Sequence, residues 1–156
     1  MIRCLLDSNI YDKLADHDEC RNLLIRRCEQ GLVEVFVTHI QADQLEKTPD
    51  GEKRKLLLAT AQVVRSRRIP TDGAVLGLSK LGESRLGGGR GEIKVDDIAD
   101  GKTKHYPDGL LVTTAAAEAD IFVTEETRLP KKIRQYQTRL EVKSFSEFYD
   151  FLRSFD

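Results

Sequence analysis

Ile2-Arg3-Cys4-Leu5-Leu6-Asp7-Ser8-Asn9 is the stretch whose reading decides the fold class. An almost unbroken apolar run of this length has no hydrophilic alternation, so it predicts a central parallel strand covered by helices on both faces. The run stops at Asp7, and Asp7-Ser8-Asn9 supplies a turn and a helix cap before a short helix at Ile10 to Ala15. The same grammar repeats outward along the chain. Asp18 to Gln30 reads as a helix carrying Cys20, Leu23, Leu24, Ile25 and Cys28 and closed by Gly31. Val33 to Val37 reads as a second strand.

Thr38 to Lys47 is helical up to Thr48-Pro49, where the residue before proline is pushed out of the helical region. Asp50-Gly51 restarts a longer helix, with Leu56, Leu57, Ala59, Thr60, Val63 and Val64 as its expected buried stripe. Residues 70 to 107 are read as a flexible insertion holding a short helix or two, with a Gly87 to Gly91 run inside it. That run lacks the Lys and Ser/Thr of a phosphate-binding P-loop. Pro107-Asp108-Gly109 begins an Ala-rich helix, Ile121 to Thr124 is a strand, and Leu129 to Tyr136 a basic helix. Leu140 to Val142 is a further strand, and Ser144 caps a helix bearing Phe145, Phe148, Phe151, Leu152 and Phe155.

Strands alternating with helices predict a three-layer α/β/α architecture with a central parallel sheet of about four or five strands, all in one domain over residues 1 to 156. With 40% hydrophobic and 33% charged residues, the chain has the composition of an ordinary globular protein. No apolar run approaches the roughly 20 residues of a membrane span, and the N-terminus lacks signal-peptide character, which makes a cytoplasmic location the expectation. Cys4, Cys20 and Cys28 have no metal-ligand spacing and are expected to be reduced and packed. The net charge of −1 excludes no partner class, because local charge governs nucleic-acid binding.

In a parallel sheet, ligands sit beyond the carboxyl ends of the strands, where the strand order reverses. Carboxylates occupy those positions here: Asp7 after the first strand, Glu125 and Glu126 after residues 121 to 124, Asp43 and Glu46 in the helix after the second strand, and Asp108 opening the Ala-rich helix. Acids brought into one cleft repel one another unless protons or a cation intervene. Oxygen donors of this kind select hard cations, Mg²⁺ or Mn²⁺, which acidify bound water and stabilise charge on a phosphodiester.

Leu5-Leu6-Asp7-Ser8-Asn9, Val37-Thr38 leading into an acid-bearing helix, Asp108 before the Ala-rich helix, and Ala119-Asp120-Ile121-Phe122-Val123-Thr124-Glu125-Glu126 together resemble the PIN domain family. The resemblance spans nearly the whole chain in the family's order. It implies a metal-dependent endoribonuclease, with Asp7, Asp108 and Glu126 as metal ligands and Asp43 joining them as a catalytic acid. Asn9, Thr124 and Glu125 would support the site. Glu126 stands where the family more often has Asp. At the second acidic position the family's usual Glu falls on Gln44, with Asp43 and Glu46 beside it, although one residue along a helix turns a side chain by about 100 degrees. Many small bacterial members are toxins held by an antitoxin, so RNA, an antitoxin and a second copy of the chain are the partners the resemblance brings.

The capping reading stands beside the catalytic one for Asp7 and Asp108, and a solvated pair for Glu125 and Glu126. Lys53 and Arg54, Arg67 and Arg68, and Lys131 and Lys132 are basic clusters suited to phosphate contacts or to solvated helix faces. Asp120 is expected to be structural, and His17, His39 and His105 are set aside. Two other functions compete. One is a PIN-fold RNA- or protein-binding domain with weak or lost catalysis, suggested by Gln44 and Glu126. The other, a haloacid dehalogenase-type phosphatase, wants a second Asp where Asn9 stands.

Overall fold

The computed structural model describes residues 1–64, 66–85 and 93–155. Five parallel strands form its sheet: β1 (Ile2–Leu6), β2 (Val33–Val37), β3 (Arg67–Arg68), β4 (Ile121–Val123) and β5 (Glu141–Lys143), in the order β3-β2-β1-β4-β5. β1 is central, pairing Cys4 with Val35 on one side and with Ile121 on the other. The chain builds outward from β1 to β3 and then returns to lay β4 on β1's opposite side. The reversal of order therefore falls between β1 and β4.

Side chains of a strand alternate between faces, and the two cores follow that period. Cys4 and Leu6 of β1, Val33 and Val35 of β2, and Ile121 and Val123 of β4 face α1 (Ser8–Asp16), α2 (Asp18–Glu29), α4 (Gly51–Val63) and α8 (Phe145–Arg153). Leu5, Phe36 and Phe122 face the other way, onto α5 (Val95–Ala99), α6 (Tyr106–Glu118) and α7 (Arg128–Ile133). α3 (His39–Glu46) lends Leu45 to the first core and Ile40 to the second. This is the expected three-layer arrangement, with β1 covered on both faces.

β3 was not anticipated: two consecutive arginines carry no apolar signal, and they pair with Phe36 and Val37 through backbone, with the Arg67 guanidinium over the Phe36 ring. The expected stripe of α4 is corrected by half. Leu57, Thr60 and Val64 are buried, whereas Ala59 is exposed and Leu56 and Val63 are each 48% exposed. Each set repeats at i, i+3 and i+7, one residue out of phase, so only one of two adjacent stripes meets α1 and α3. Between residues 70 and 107 the described part holds a bridge from Thr71 to Ser84, α5 and a 3₁₀ turn at Thr103–His105. The Gly87 to Gly91 run lies outside the described residues.

Cys4, Cys20 and Cys28 are free, and burial raises the Cys4 thiol and pushes Cys20 up to about 12, which keeps both protonated and suits a packing role. Asp120 takes a paired contact from the Arg3 guanidinium at 2.8 and 3.1 Å. No helix among the described residues is long and apolar enough to cross a membrane.

Candidate functional site

Asp7 follows β1, and its backbone N–H continues the ladder onto the Val123 carbonyl at 2.9 Å, which sets it level with Thr124 at the end of β4. Its side chain is 6% exposed and heavily bonded. Oδ1 accepts from the Ser8 N–H at 2.7 Å, while Oδ2 accepts from Thr124 Oγ1 at 2.7 Å and from Asn9 Nδ2 at 3.1 Å. An ordinary cap would accept from the second or third amide of the helix. Asp7 takes only the first, and its other oxygen turns across the sheet toward β4. Thr124 Oγ1 in turn accepts from the Glu126 N–H at 3.0 Å, so one hydroxyl fixes Asp7 and the start of the 125–126 turn together.

Asp108 lies in the first turn of α6 without a capping bond of its own. Arg128 Nη2 donates to its Oδ2 at 2.8 Å, while Arg128 Nη1 donates to the Ile98 carbonyl at 2.8 Å. Burial raises the pKa of Asp7, and the charge of Glu126 adds to the shift against the lowering hydrogen bonds from Thr124 and Ser8. Burial also raises Asp108, aided by the charges of Asp7 and Glu126 and opposed by Arg128. Asp7, Asp108 and Glu126, distant in sequence, therefore share one electrostatic neighbourhood at the reversal between β1 and β4.

The second-strand side of the cleft differs from the expectation. Asp43 is held by Lys80 Nζ at 2.5 Å, Glu46 is exposed, and Gln44 has a buried Oε1 with no hydrogen-bond partner among the described residues. Glu125 is exposed and accepts from the Phe145 N–H at 2.7 Å, tying the turn after β4 to α8. Asn9 donates from Nδ2 to Asp7, and its Oδ1 faces the Glu125 amide at 3.5 Å.

The basic clusters are largely engaged by acids and carbonyls: Lys53 with Asp12, Arg54 with the Thr48 carbonyl, Arg67 with Glu34, Arg68 with Glu83, and Lys132 with Asp100. They stand on α4, β3 and α7 rather than on one stripe.

Three residues of the neighbourhood escaped the sequence reading. Gln41 is fully buried and satisfied, accepting from the Thr38 N–H at 2.7 Å and donating to the Leu6 carbonyl at 2.9 Å. It fastens α3 to the residue before Asp7. Its signal was present, because Thr38 and Gln41 have the spacing of a capping box. Arg128 and Lys80 had none: their acids lie 20 and 37 residues away.

A hard divalent cation suits the donor chemistry, since the acids here are oxygen donors whose mutual charge is left partly uncompensated. The packing is looser than a closed cage. Among the described residues no three His, Cys, Asp or Glu side chains gather closely enough to hold an ion, and Arg128 already neutralises part of Asp108.

Fold and site together define a parallel α/β protein with electrostatically coupled acids at its switch point. Comparison with protein-family models, with curated proteins and with solved structures found no match.

Proposed function

We infer that this chain is a metal-dependent endoribonuclease of the PIN type. The observation that carries the reading is the shared electrostatic neighbourhood of Asp7, Asp108 and Glu126 where strand order reverses: burial and the Glu126 charge raise the Asp7 pKa, and burial with the charges of Asp7 and Glu126 raises that of Asp108. Asp7, Asp108 and Glu126 would hold Mg²⁺ or Mn²⁺. Such an ion acidifies water and neutralises charge on a phosphodiester.

The chain's own part is positioning. Thr124 and Asn9 lock the Asp7 carboxylate by hydrogen bonds, and Gln41 fixes the backbone that carries it. Arg128 opposes the burial-driven rise of the Asp108 pKa and brings a guanidinium, held between Asp108 and the Ile98 carbonyl, beside the acids, a charge suited to a phosphate.

The test is cleavage of labelled single-stranded and structured RNAs by the wild type and Asp7→Asn, with Mn²⁺, with Mg²⁺ and with chelator. Metal-dependent cleavage by the wild type alone is the expected result. Cleavage that survives chelator, or equals that of Asp7→Asn, refutes the reading. Gln44 at the second acidic position and the Lys80–Asp43 ion pair favour a second reading, a PIN-fold RNA- or protein-binding domain with lost catalysis. RNA binding without cleavage under every metal condition would establish it.

A further inference from the structure

A cavity of about 460 Å³ opens between α3 and residues 77–80, walled by Ile40, Gln44, Leu78, Ser79, Lys80 and Pro107. Its size is that of a small-ligand pocket, for which about 300 to 1,000 Å³ is usual. The cavity sits at the carboxyl edge of the sheet, since α3 follows β2 directly, and Pro107 is the chain neighbour of Asp108. A polynucleotide whose phosphate lay at the acidic cleft would pass its adjoining nucleoside over this opening.

The lining says which part of a nucleotide fits. Ile40, Leu78 and Pro107 present apolar surface, which a phosphate or ribose would not seek. The charged lining residues are balanced: Asp43 is paired with Lys80, and Glu46 stands next to Lys47. A neutral, flat, largely apolar group with a polar edge matches that composition. Gln44 supplies an amide for the edge. Its Oε1 has no partner among the described residues, so turning that oxygen toward a base breaks no bond it now makes. Ser79 adds a hydroxyl on the same wall.

We propose that this cavity is the seat of one unpaired nucleobase next to the scissile phosphate. The proposal rests on the ribonuclease reading for its placement. A base within a duplex is stacked on both faces and paired along its edge, so it enters such a concavity only after leaving the helix. Lys47 and Lys80 at the wall supply cations for the flanking phosphate, Lys80 by exchanging Asp43 for it.

The experiment is an amide NMR titration of the full chain without metal, using 5′-AMP, 5′-CMP and 5′-UMP, with ribose 5-phosphate as the base-free comparison. Nucleotides should move the resonances of residues 40–47 and 77–80, and ribose 5-phosphate should bind at least tenfold more weakly. Leu78→Asp should weaken nucleotide binding at least tenfold while Leu78→Met retains it, each spectrum reporting whether the variant is folded. Fluorescence anisotropy in chelator should give single-stranded RNA at least tenfold tighter binding than the duplex of the same sequence. Equal binding of ribose 5-phosphate, unmoved resonances in these segments, or equal binding of duplex would overturn the proposal. Metal-dependent cleavage combined with such a result leaves the ribonuclease standing and removes only this seat. Nucleotide binding here in a protein that cleaves nothing upholds the seat and removes the catalysis.

Discussion

Asp7 and Asp50 occupy the same place relative to a helix, the residue before its first turn, and the molecule uses them in opposite ways. Asp50 Oδ1 accepts from the Glu52 and Lys53 amides at 2.9 and 3.1 Å, the second and third of α4, in the manner of a helix cap exposed to water. Asp7 accepts from the first amide of α1 and spends its other oxygen on Thr124 and Asn9. A cap contributes about 1 kcal/mol by satisfying amides that would otherwise face solvent. A buried carboxylate beside two further acids costs free energy, which a bound cation would offset. The acid's partners, more than its residue type or its position in the helix, separate the two roles.

The largest effect expected from breaking this comparison is catalytic. Asp7→Asn should lower metal-dependent RNA cleavage by at least about a hundredfold, as removal of a metal ligand does, while leaving the far-ultraviolet circular dichroism unchanged. Asp50→Ala should cost about 1 kcal/mol in urea unfolding and leave cleavage per folded molecule as it was. Similar losses of cleavage in both variants would make Asp7 one more cap.

Glycines near the starts of α4 and α6 extend the contrast to packing. A methyl group on Gly109 would stand 2.8 Å from the Val95 carbonyl oxygen, whereas on Gly51 it would meet only the Arg54 guanidinium, at 3.9 Å. Backbone cannot give way as a long side chain does. Gly109→Ala should therefore destabilise by about 1 to 3 kcal/mol, and by displacing the turn that carries Asp108 it should also reduce cleavage. Gly51→Ala should gain up to about 1 kcal/mol from the reduced freedom of the unfolded chain. Equal unfolding midpoints for the two variants would show that α5 does not press on α6 as described.

The pH dependence of stability sharpens the electrostatic half. The folded protein holds the Asp7 and Asp108 protons to higher pH than the unfolded chain does. Stability from this source is greatest in acid and falls as pH rises from the ordinary carboxylate range through the two raised values. Asp120 has the opposite sign: Arg3 lowers its pKa, so its contribution is present at neutral pH and is lost as pH falls through the lowered value. Thermal melts between pH 4 and 8 should show a downward slope in the wild type relative to Asp7→Asn/Asp108→Asn, and Mn²⁺ should raise the wild-type melting temperature more at pH 7 than at pH 5. A wild type that tracks the double variant at every pH would mean that the acids do not burden the fold.

Much of this contrast was legible along the chain, and the part that was not has a physical reason. The strand of residues 2 to 6, its parallel neighbours and the acid after it are local signals, because apolar runs and strand ends are written in consecutive residues. The bond from Thr124 to Asp7 follows once two adjacent strands are known to end together. Arg128 on Asp108 and Lys80 on Asp43 are tertiary pairs between segments with no periodic relation, and nothing in the local sequence around Lys80 announces a partner on α3. The misplaced half of the α4 stripe has the same origin, since periodicity allows two adjacent faces and only the packed neighbour selects one.

The last contrast concerns two glutamines of α3 that lie one turn apart. Gln41 is satisfied at both ends of its amide, and its exchange for Glu would place a charge where it now donates to the Leu6 carbonyl. Gln44 has an oxygen without a partner, so Gln44→Glu keeps the shape, breaks no bond made by that oxygen and adds one negative charge to the cleft. In chelator that charge should lower stability by about 1 to 3 kcal/mol, the usual cost of a buried polar group left uncompensated. With Mn²⁺ the loss should be recovered, and cleavage should rise a few-fold if position 44 faces the ion through Asp43's neighbourhood. Calorimetric titration of Mn²⁺ decides the point: tighter binding in Gln44→Glu makes the neutral amide a weakened ligand position, and unchanged binding assigns Gln44 to the wall of the adjacent cavity alone.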